Sequence, residues 1–400
     1  MMTSIVILTC NQLSLTIQCL ESLWRNTSSP YELIIVDNGS TDGTVDYLRS
    51  LGDKIILIEN PKNLGFSKGC NQGLGVSSGD QILFLNNDTV LPPGWLEPMV
   101  KALYLDDDVG MTGPVTNYIS GQQQIPVGYT EVKDMEQFAK AHRESNKGSV
   151  EEVRRLVGFC LMVKRSLVED IGSFDERYGL GNYEDDDLCL RALRNGYKLL
   201  IAKEAFIHHI GHASMGQPAS ATLGQLLEEN RNKAIQKWGT PIHSLIYAPS
   251  ARITACFVTR NNENTLADTL ASLEGIVEEI IVLDCCSTDR TVEIAKQYTS
   301  HVIAARSTGI PQLRAEIMYQ LASSPYLLWL EPGDTLDAVS RRRLRGIKHS
   351  LVSEYDVVSV PLGRARRYLT AKGLHHVGPK DIEEAPKTAY FRWDSFVMER

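Results

Sequence analysis

The sequence predicts an α/β fold in which one parallel-sheet module occurs twice in tandem. Short runs rich in β-branched residues alternate with segments whose apolar residues recur at helical spacing. This alternation is typical of a parallel sheet covered by helices on both faces. Landmarks of the first half of the chain also recur in the second half in the same order. Since 400 residues exceed what one hydrophobic core usually organises, two domains are expected.

The elements of the first module are predicted from its apolar pattern. TSIVILT and YELIIVDN are short apolar runs typical of buried strands, whereas LSLTIQCLESLWRN repeats its apolar residues at helical spacing. The prediction comprises strands at 3–9, 31–38, 54–60 and 81–88, and helices at 13–26 and 44–50.

The duplication is predicted from three landmarks. They recur at a nearly constant displacement of about 250 residues: Thr9 as Thr259, Asp37 as Asp284, and Asp88 as Asp334. A chance match would not hold this register, so we expect two copies of one module. The predicted domains are 1–245 and 250–400, joined near 247–251.

Composition and charge limit the functions of the chain. A formal charge of −8 gives no electrostatic case for a nucleic-acid partner. Eight cysteines without a Cys-x-x-Cys pair suit a reducing compartment, and MMTSIVILTC lacks the positive region of a signal peptide. No apolar run approaches the ~18 residues that span a bilayer. We therefore expect a cytoplasmic protein without a transmembrane segment, which leaves peripheral membrane association open.

Two aspartates follow the second predicted strand, in VDNGSTDGT at 36–44. In open α/β sheets ligands bind beyond the carboxyl ends of the strands, where a carboxylate can accept a hydrogen bond from a nucleobase or a ribose. The alternative is that both aspartates only cap a turn and a helix. We assign Asp42 to capping and Asp37 to a ligand.

Polar residues also end the next buried run, in LNNDT at 85–89. Asp88 offers a hard oxygen ligand of the kind that Mg²⁺ or Mn²⁺ prefers, and phosphate oxygens can complete the coordination. The alternative is a turn-forming cluster of Asn and Asp.

Four contiguous acids, Glu184 to Asp187, are predicted to begin a helix. One or two acids there satisfy free N–H groups and the helix dipole, but four exceed what capping needs. Their repulsion calls for a cation or a raised pKa, and a carboxylate in such a place is a candidate general base.

Three histidines lie within five residues, in AFIHHIGHAS at 205–214. Neutral imidazole is a common metal ligand, although a single histidine is more often a core or surface residue. Because side chains alternate along a strand, at most one of His208 and His209 should face the site. The sequence leaves open which one.

These segments, in this order, resemble the family 2 glycosyltransferases of bacterial cell-surface polysaccharide assembly, which adopt the GT-A fold. The resemblance covers about residues 3–240 and also includes ILTCNQ, NPKNLGFSKGCNQGL at 60–74 and FDERYGLGNYEDDDLCLR at 174–191. Asn86 stands where the Asp-x-Asp motif has its first aspartate, as in the rhamnosyltransferase-like branch.

The resemblance implies roles for particular residues. It implies a nucleotide-sugar site formed by Thr9, Asn11, Asp37, Asn63, Gly65, Asn71, Asn86 and Asn87. It implies a metal held by Asp88 with His208 or His209. The Glu184–Asp185 pair would contain the general base, with Asp185 taking the proton.

The implied reaction is an inverting displacement from a UDP-, dTDP- or GDP-linked sugar to a glycan, lipid-linked or protein acceptor. Mn²⁺ or Mg²⁺ would stabilise the departing diphosphate. A nucleotidyltransferase would need a Gly-rich basic loop after the first strand, and a dinucleotide-dependent oxidoreductase would need Gly-x-Gly-x-x-Gly. TCNQLSL has neither.

The second copy resembles the same family, but its pattern is incomplete. ARSTGIPQLRAEIM (305–318) stands where the nucleotide-flanking stretch would be, and the place of GLHHVGPKD (373–381) is open. No acidic run like that of the first copy follows Asp334. We expect a degenerate or incomplete module. The alternatives are a bifunctional enzyme with two sites and a non-catalytic nucleotide- or carbohydrate-binding scaffold.

Overall fold

The computed structural model describes residues 1–211, 220–305, 318–350, 357–362, 365–371 and 388–390. By its internal contacts the chain forms two compact units: unit 1 is Met1–Leu193 with Tyr197–Ala248, and unit 2 is Arg194–Gly196 with Pro249–Arg400. Parts of the predicted segments lie outside the described residues, namely 212–214, 306–317 and 373–381. Every helix within the described ranges is too short or too polar to cross a bilayer.

The described part of unit 1 forms one nine-stranded sheet. Its strands are β1 (Thr3–Thr9), β2 (Tyr31–Asn38), β3 (Ile56–Asn60), β4 (Gln81–Asn86), β5 (Thr89–Val90), β6 (Val109–Thr116), β7 (Val150–Val153), β8 (Cys160–Lys164) and β9 (Lys198–His209). They are ordered β3-β2-β1-β4-β8-β6-β9-β5, and β7 pairs with β9. The strands β3, β2, β1 and β4 are parallel, whereas β8 is antiparallel to β4.

The helices of unit 1 are α1 (Leu13–Asn26), α2 (Thr44–Ser50), α3 (Phe66–Val76), α4 (Glu97–Leu103), α5 (Met135–Ser145), α6 (Arg165–Ile171), α7 (Glu184–Arg194), α8 (Ser220–Trp238) and α9 (Ile242–Ile246). The elements β1, α1, β2 and α2 begin and end where the sequence predicts.

Two predicted strands are shorter in the structure. The strand predicted at 54–60 starts at Ile56, because Gly52–Lys54 forms one 3₁₀ turn. The strand predicted at 81–88 ends at Asn86, because the Thr89 hydroxyl donates to the Asn86 carbonyl (2.9 Å) and closes a turn. Asp88 therefore lies in a turn rather than in a strand.

The strand β1 lies between β2 and β4 at the centre of the parallel part of the sheet, and nearly all its residues are buried. The register pairs Thr9 with Asp37 and Leu8 with Asn86, so the three strands end side by side. Polar residues at these ends therefore meet at one edge of the sheet, where ligands bind in open α/β sheets.

The described part of unit 2 has a smaller sheet. Its strands are β10 (Ile253–Thr259), β11 (Glu279–Asp284), β12 (Val302–Ala304), β13 (Tyr326–Leu330), β14 (Val357–Leu362), β15 (Ala365–Ala371) and β16 (Thr388–Tyr390). They are ordered β12-β11-β10-β13-β15-β14-β16. The parallel strands β12-β11-β10-β13, followed by antiparallel β15, have the order and directions of β3-β2-β1-β4-β8. The helices are α10 (Leu266–Ser272), α11 (Thr291–Tyr298) and α12 (Ala338–Ser350).

A buried carboxylate, Asp187, connects α7 and α8 in unit 1. It accepts hydrogen bonds from Trp238 Nε1 (2.9 Å) and Arg191 Nε (2.8 Å), and Lys237 Nζ lies 2.7 Å from its Oδ1. Arg191 also donates to main-chain carbonyls at the end of α6. This carboxylate therefore fixes α8 and the end of α6 against α7.

Asp187→Asn is expected to lower the free energy of unfolding by about 3–5 kcal/mol, because it removes the buried counter-charge of Arg191 and one of the two carboxylates that Lys237 contacts. The matched control is Asp46→Asn, since the Asp46 side chain is 85% exposed and its ion pair with Arg49 lies at the surface. That control should change stability by no more than about 1 kcal/mol. Urea unfolding followed by circular dichroism measures both, and equal losses in the two variants would contradict the account.

Candidate active site

A cavity of about 460 Å³ lies at the carboxyl edge of the unit 1 sheet, beside the first turn of α7. Its lining includes six residues that the sequence predicts for the site: Thr9, Asn63, Asn86, Glu184, Asp185 and His209. The lining also includes residues that the sequence did not predict, among them Asn38, Phe66, Arg155, Tyr183 and His243. The ends of β1, β4 and β9 and the start of α7 therefore share one cavity.

The loops after β1 and β2 are joined by hydrogen bonds. Asp37 is fully buried, and its carboxylate accepts from the Thr9 hydroxyl (3.1 Å) and the Ser40 N–H (2.9 Å). Asn11 has a positive φ of 59° and accepts from the Thr41 N–H (2.7 Å). Neither Asp37 nor Asn11 lines the cavity. Both instead connect the loop after β1 to the loop after β2 by hydrogen bonds.

The segment after β3 positions another wall of the cavity. Asn63 lines the cavity and accepts from the Gly65 N–H (2.9 Å). Gly65 has a φ of 92°, and a Cβ there would lie 2.0 Å from the Gly179 carbonyl oxygen. Asn71 donates to the Phe174 carbonyl (2.9 Å). Gly65 and Asn71 do not line the cavity, but they join α3 to the segment that precedes α7.

The two candidate histidines of β9 lie on opposite faces. His209 Nε2 is 3.3 Å from Asp88 Oδ1, and its Nδ1 donates to the Tyr118 carbonyl (2.8 Å) because a carbonyl only accepts. Burial opposes protonation of His209, but the hydrogen bond and charge of Asp88 outweigh it and raise its pKa. His208 Nδ1 is 2.6 Å from the Tyr129 hydroxyl instead. The histidine next to Asp88 is therefore His209.

The chain offers only part of a metal coordination shell at this place. Asp88 is buried and does not line the cavity, and Asn87 is buried and donates to the Thr16 hydroxyl (3.0 Å). Within the described ranges, no three His, Cys, Asp or Glu side chains are grouped so that they could hold a metal ion. One carboxylate and one imidazole fit Mg²⁺ or Mn²⁺ provided that a substrate adds oxygen ligands.

Two of the four acids at the start of α7 are neutralised by cations from other elements. Asp187 has the contacts described above. Asp186 forms an ion pair with Arg155, and its Oδ2 is 2.8 Å from His243 Nε2. Burial opposes ionisation of Asp186, but these two contacts outweigh it and lower its pKa. The hydrogen bond to Asp186 in turn raises the pKa of His243.

The other two acids, Glu184 and Asp185, lie in the cavity wall. Asp185 Oδ2 accepts from the Gly158 N–H (3.0 Å), and Oδ1 accepts from the Asp186 N–H (2.8 Å). Burial and the charge of Asp186 raise the pKa of Asp185 to about 6. Burial and the charge of Asp185 raise the pKa of Glu184 well above its usual range. Asp185 is thus mostly ionised at neutral pH, and the upward shift of the Glu184 pKa favours its protonated form.

Sequence reasoning missed several polar residues of the cavity, among them Arg155, His243 and Asn38. Arg155 and His243 are 31 and 57 residues from Asp186 in the chain, and no local pattern marks either one. Asn38 donates to the Gly65 carbonyl (3.1 Å). Its place at the end of β2, next to Asp37, is the signal that could have identified it.

Comparison with known proteins identifies the family of the chain. The sequence model of Glycosyl transferase family 2 matches residues 4–172 and 254–330, which together exceed half of the chain. The chain belongs to glycosyltransferase family 2. The matched segments fall in both units.

Two relatives and one solved structure illustrate the similarity. This glycosyltransferase is 29% identical over 227 residues to an N-acetylglucosaminyl-diphospho-decaprenol L-rhamnosyltransferase of Mycobacterium tuberculosis. That alignment covers 50% of this chain and 74% of the relative. It is 27% identical over 241 residues to the uncharacterized glycosyltransferase YwdF of Bacillus subtilis. The alignment covers 60% of this chain and 85% of the relative. The structure of GalNAc-T7 with UDP, GalNAc and Mn²⁺ aligns with a TM-score of 0.48 and 16% identity, over 62% of this chain and 50% of that chain.

Family membership confirms the predicted enzyme class and the rhamnosyltransferase-like branch. With the observed sheet, it also identifies the fold as an α/β, GT-A-like fold.

Gly65→Ala is expected to lower the free energy of unfolding by about 2 kcal/mol or more, because its φ is unfavourable and its Cβ would meet the main chain. Gly75→Ala is the matched control in α3, since a Cβ there meets open space. The control should be neutral or stabilising by up to about 1 kcal/mol. Urea unfolding measures both, and equal effects would show that the Gly65 backbone is not constrained.

Proposed function

We propose that unit 1 transfers a sugar from a nucleotide-diphosphate-sugar to an acceptor hydroxyl, with inversion at the anomeric carbon. The observation that carries the proposal is Asp185, a buried carboxylate in the cavity wall with a pKa of about 6. A base whose pKa lies close to neutral pH suits proton abstraction from an alcohol.

In the proposed reaction, the Asp185 carboxylate accepts the proton of the acceptor hydroxyl while that oxygen forms a bond to the anomeric carbon. The bond from this carbon to the diphosphate oxygen breaks in the same step, and the diphosphate leaves with the electron pair. A single displacement inverts the anomeric carbon and needs no covalent intermediate. The Gly158 N–H, 3.0 Å from Oδ2, keeps the carboxylate in place.

The donor is proposed to lie over the ends of β1 and β4, where Thr9, Asn63 and Asn86 line the cavity. UDP-, dTDP- and GDP-linked sugars all agree with this surface. Direct contact of Asp37 with a nucleobase stays a prediction, because its oxygens here accept from Thr9 and Ser40.

A lipid-linked glycan is the acceptor class that we favour over a free glycan or a protein. One relative is, by its name, a rhamnosyltransferase for an N-acetylglucosaminyl-diphospho-decaprenol acceptor. In this chain Leu180 and Leu227 line the cavity and are 53% and 38% exposed. Such apolar side chains at an acceptor site suit an acceptor that carries a hydrocarbon chain.

Asp88 and His209 are proposed to hold Mn²⁺ or Mg²⁺. A bound ion would neutralise charge on the leaving diphosphate. The contact between His209 Nε2 and Asp88 (3.3 Å) places an imidazole nitrogen beside a hard carboxylate oxygen. Since a histidine ligand must be neutral, and Asp88 raises the pKa of His209, binding of the ion would compete with protonation of this imidazole.

Asp185→Asn is expected to lower turnover by about 10²-fold or more, because the amide keeps the shape of the carboxylate but cannot take a proton. The Michaelis constant for the donor should stay within a few-fold of the wild-type value. Asp46→Asn, at an exposed site, is the control. Steady-state kinetics decides, and a variant that loses donor binding with intact turnover would move Asp185 to the donor site.

Asp88→Ala and His209→Asn are each expected to weaken activation by Mn²⁺ by about tenfold or more, as loss of a ligand should. His208→Asn is the matched control, because His208 lies on the opposite face of the same strand. Mn²⁺ titration of chelator-treated enzyme measures the effect. Equal losses for the two histidine variants would exclude His209 as the ligand.

We further propose that unit 2 is a second copy of the module without catalytic activity of its own. Three hydrogen bonds of its loops support the duplication: Thr259 hydroxyl to Asp284 (3.4 Å), Ser287 N–H to Asp284 (3.0 Å) and Thr288 N–H to Asn261 (2.8 Å). They correspond to the bonds that Thr9, Ser40 and Thr41 make in unit 1. Asn11 and Asn261 also share a positive φ, of 59° and 54°.

The described part of unit 2 does not repeat, with the same contacts, the residues that correspond to Asp88 and to the acidic run of unit 1. The Asp334 carboxylate accepts from the Glu331 N–H (2.7 Å) within its own turn, and no run of four acids follows it in the sequence. Without a placed base, an acceptor hydroxyl is a poor nucleophile. Unit 2 is therefore proposed to bind a ligand or a partner without turnover.

The double variant Asp88→Ala, Asp185→Asn in the full chain tests this proposal, because it silences unit 1 and leaves unit 2 intact. It is expected to transfer no sugar from a panel of nucleotide-sugars. If it still transfers a sugar, and Asp334→Ala removes that activity, then unit 2 is an enzyme and the chain is bifunctional.

A further inference from the structure

Among the four acids at the start of α7, Glu184 is the one for which no hydrogen bond or ion pair has been described so far. It begins α7, lines the cavity and is only 6% exposed. Its Oε2 is buried and has no hydrogen-bond partner among the residues that the structure describes. A buried polar atom left unsatisfied costs about 1–3 kcal/mol, so this oxygen in the cavity wall is available to a polar atom of a bound ligand.

The charges that act on Glu184 are those of the three acids that follow it on α7, namely Asp185, Asp186 and Asp187. The Cys70 thiol of α3 is also close, but burial raises its pKa well above its usual range, so it adds no charge. The cations nearest to the run are engaged by other acids, since Arg155 pairs with Asp186. Together with burial, this surrounding raises the pKa of Glu184 well above its usual range.

A protonated carboxyl group differs from a carboxylate in what it can recognise. A carboxylate only accepts hydrogen bonds, whereas a carboxylic acid donates one from its O–H. Sugar hydroxyl oxygens are acceptors available in the substrates of a glycosyltransferase. Glu184 precedes Asp185, the proposed base, so its partner should belong to a sugar bound close to the reacting atoms.

We propose that Glu184 is a neutral hydrogen-bond donor whose carboxyl O–H binds a hydroxyl oxygen of a sugar next to Asp185. This inference rests on the proposed function of unit 1 and adds a residue that selects the substrate by its hydroxyl pattern. A site built to hydrogen-bond a substrate hydroxyl rejects the analogue that lacks it, because the buried protein group is then left unpaired.

Three variants of the full chain test the proposal: Glu184→Gln, Glu184→Leu and Glu184→Ala. Glutamine is neutral and keeps a donor, so its kcat/KM should stay within about fivefold of the wild-type value. Leucine keeps most of the volume without a donor, and alanine removes both. Each of these should lower kcat/KM by about tenfold or more, which corresponds to the loss of about 1.4 kcal/mol of binding to the transition state.

The kinetics also distinguish the source of the hydroxyl. A rise in the Michaelis constant for the nucleotide-sugar alone in Glu184→Leu assigns the contact to the transferred sugar, and a rise for the acceptor alone assigns it to the acceptor. Thermal unfolding of each variant shows whether it is folded. Glu184→Gln should unfold no earlier than the wild type, which keeps the test valid if the leucine variant is unstable.

Two results would overturn the proposal. If Glu184→Gln is as inactive as Glu184→Ala, the residue acts as an anion, because glutamine retains both a donor and an acceptor. If the acidic limb of the pH profile of kcat/KM moves to lower pH in Glu184→Gln, the wild-type residue carried a charge that influenced the base. Asp185→Asn in the same assay is the separate control, because its full activity would refute the proposed function whatever Glu184 does.

Discussion

The arrangement of unit 1 depends on how four contiguous buried carboxyl groups are accommodated at the start of α7. Four like charges cannot share a desolvated helix end unless cations neutralise them or protons do. Cations from α8 and the segment before β8 neutralise two of them, Asp187 and Asp186, and His243 of α9 adds a contact to Asp186. The remaining two, Asp185 and Glu184, line the cavity, and both have raised pKa values. The same contacts thus order the surrounding helices and leave two of the four acids for the cavity.

The sheet determines where these groups act. Because β1, β2 and β4 are parallel and in register, their ends form one edge, and the loops beyond them are held by their own hydrogen bonds. The loop geometry recurs in unit 2, where Thr259 donates to Asp284. The two units differ in the segments beyond these strands, since the acidic run belongs to unit 1. The loops at the strand ends and the acidic run are therefore separable parts of this fold.

The sequence predicted the features that depend on neighbouring residues. The bounds of α1 and β2 follow from local periodicity, and the cluster at Glu184 is visible as a surplus of acids. Alternation along β9 required that the two histidines face apart, but only the pairing of β5 with β9 places His209 beside Asp88. Asp186 contacts Arg155 and His243, which come from distant segments of the chain, so no sequence pattern could have indicated these contacts. The burial of Asp37 behind Thr9 likewise follows from the register between strands.

The dependence of kcat/KM on pH tests the central claim most directly, because it reports the ionisation of the free enzyme. With Asp185 as the base, log kcat/KM should be constant near neutral pH and fall with unit slope below about pH 6, as its carboxylate becomes protonated. The free energy of unfolding, measured over the same pH range, would show whether the fall in kcat/KM at low pH comes from unfolding instead. A profile that stays flat from about pH 7 down to about pH 5 would contradict the assignment of Asp185 as the base.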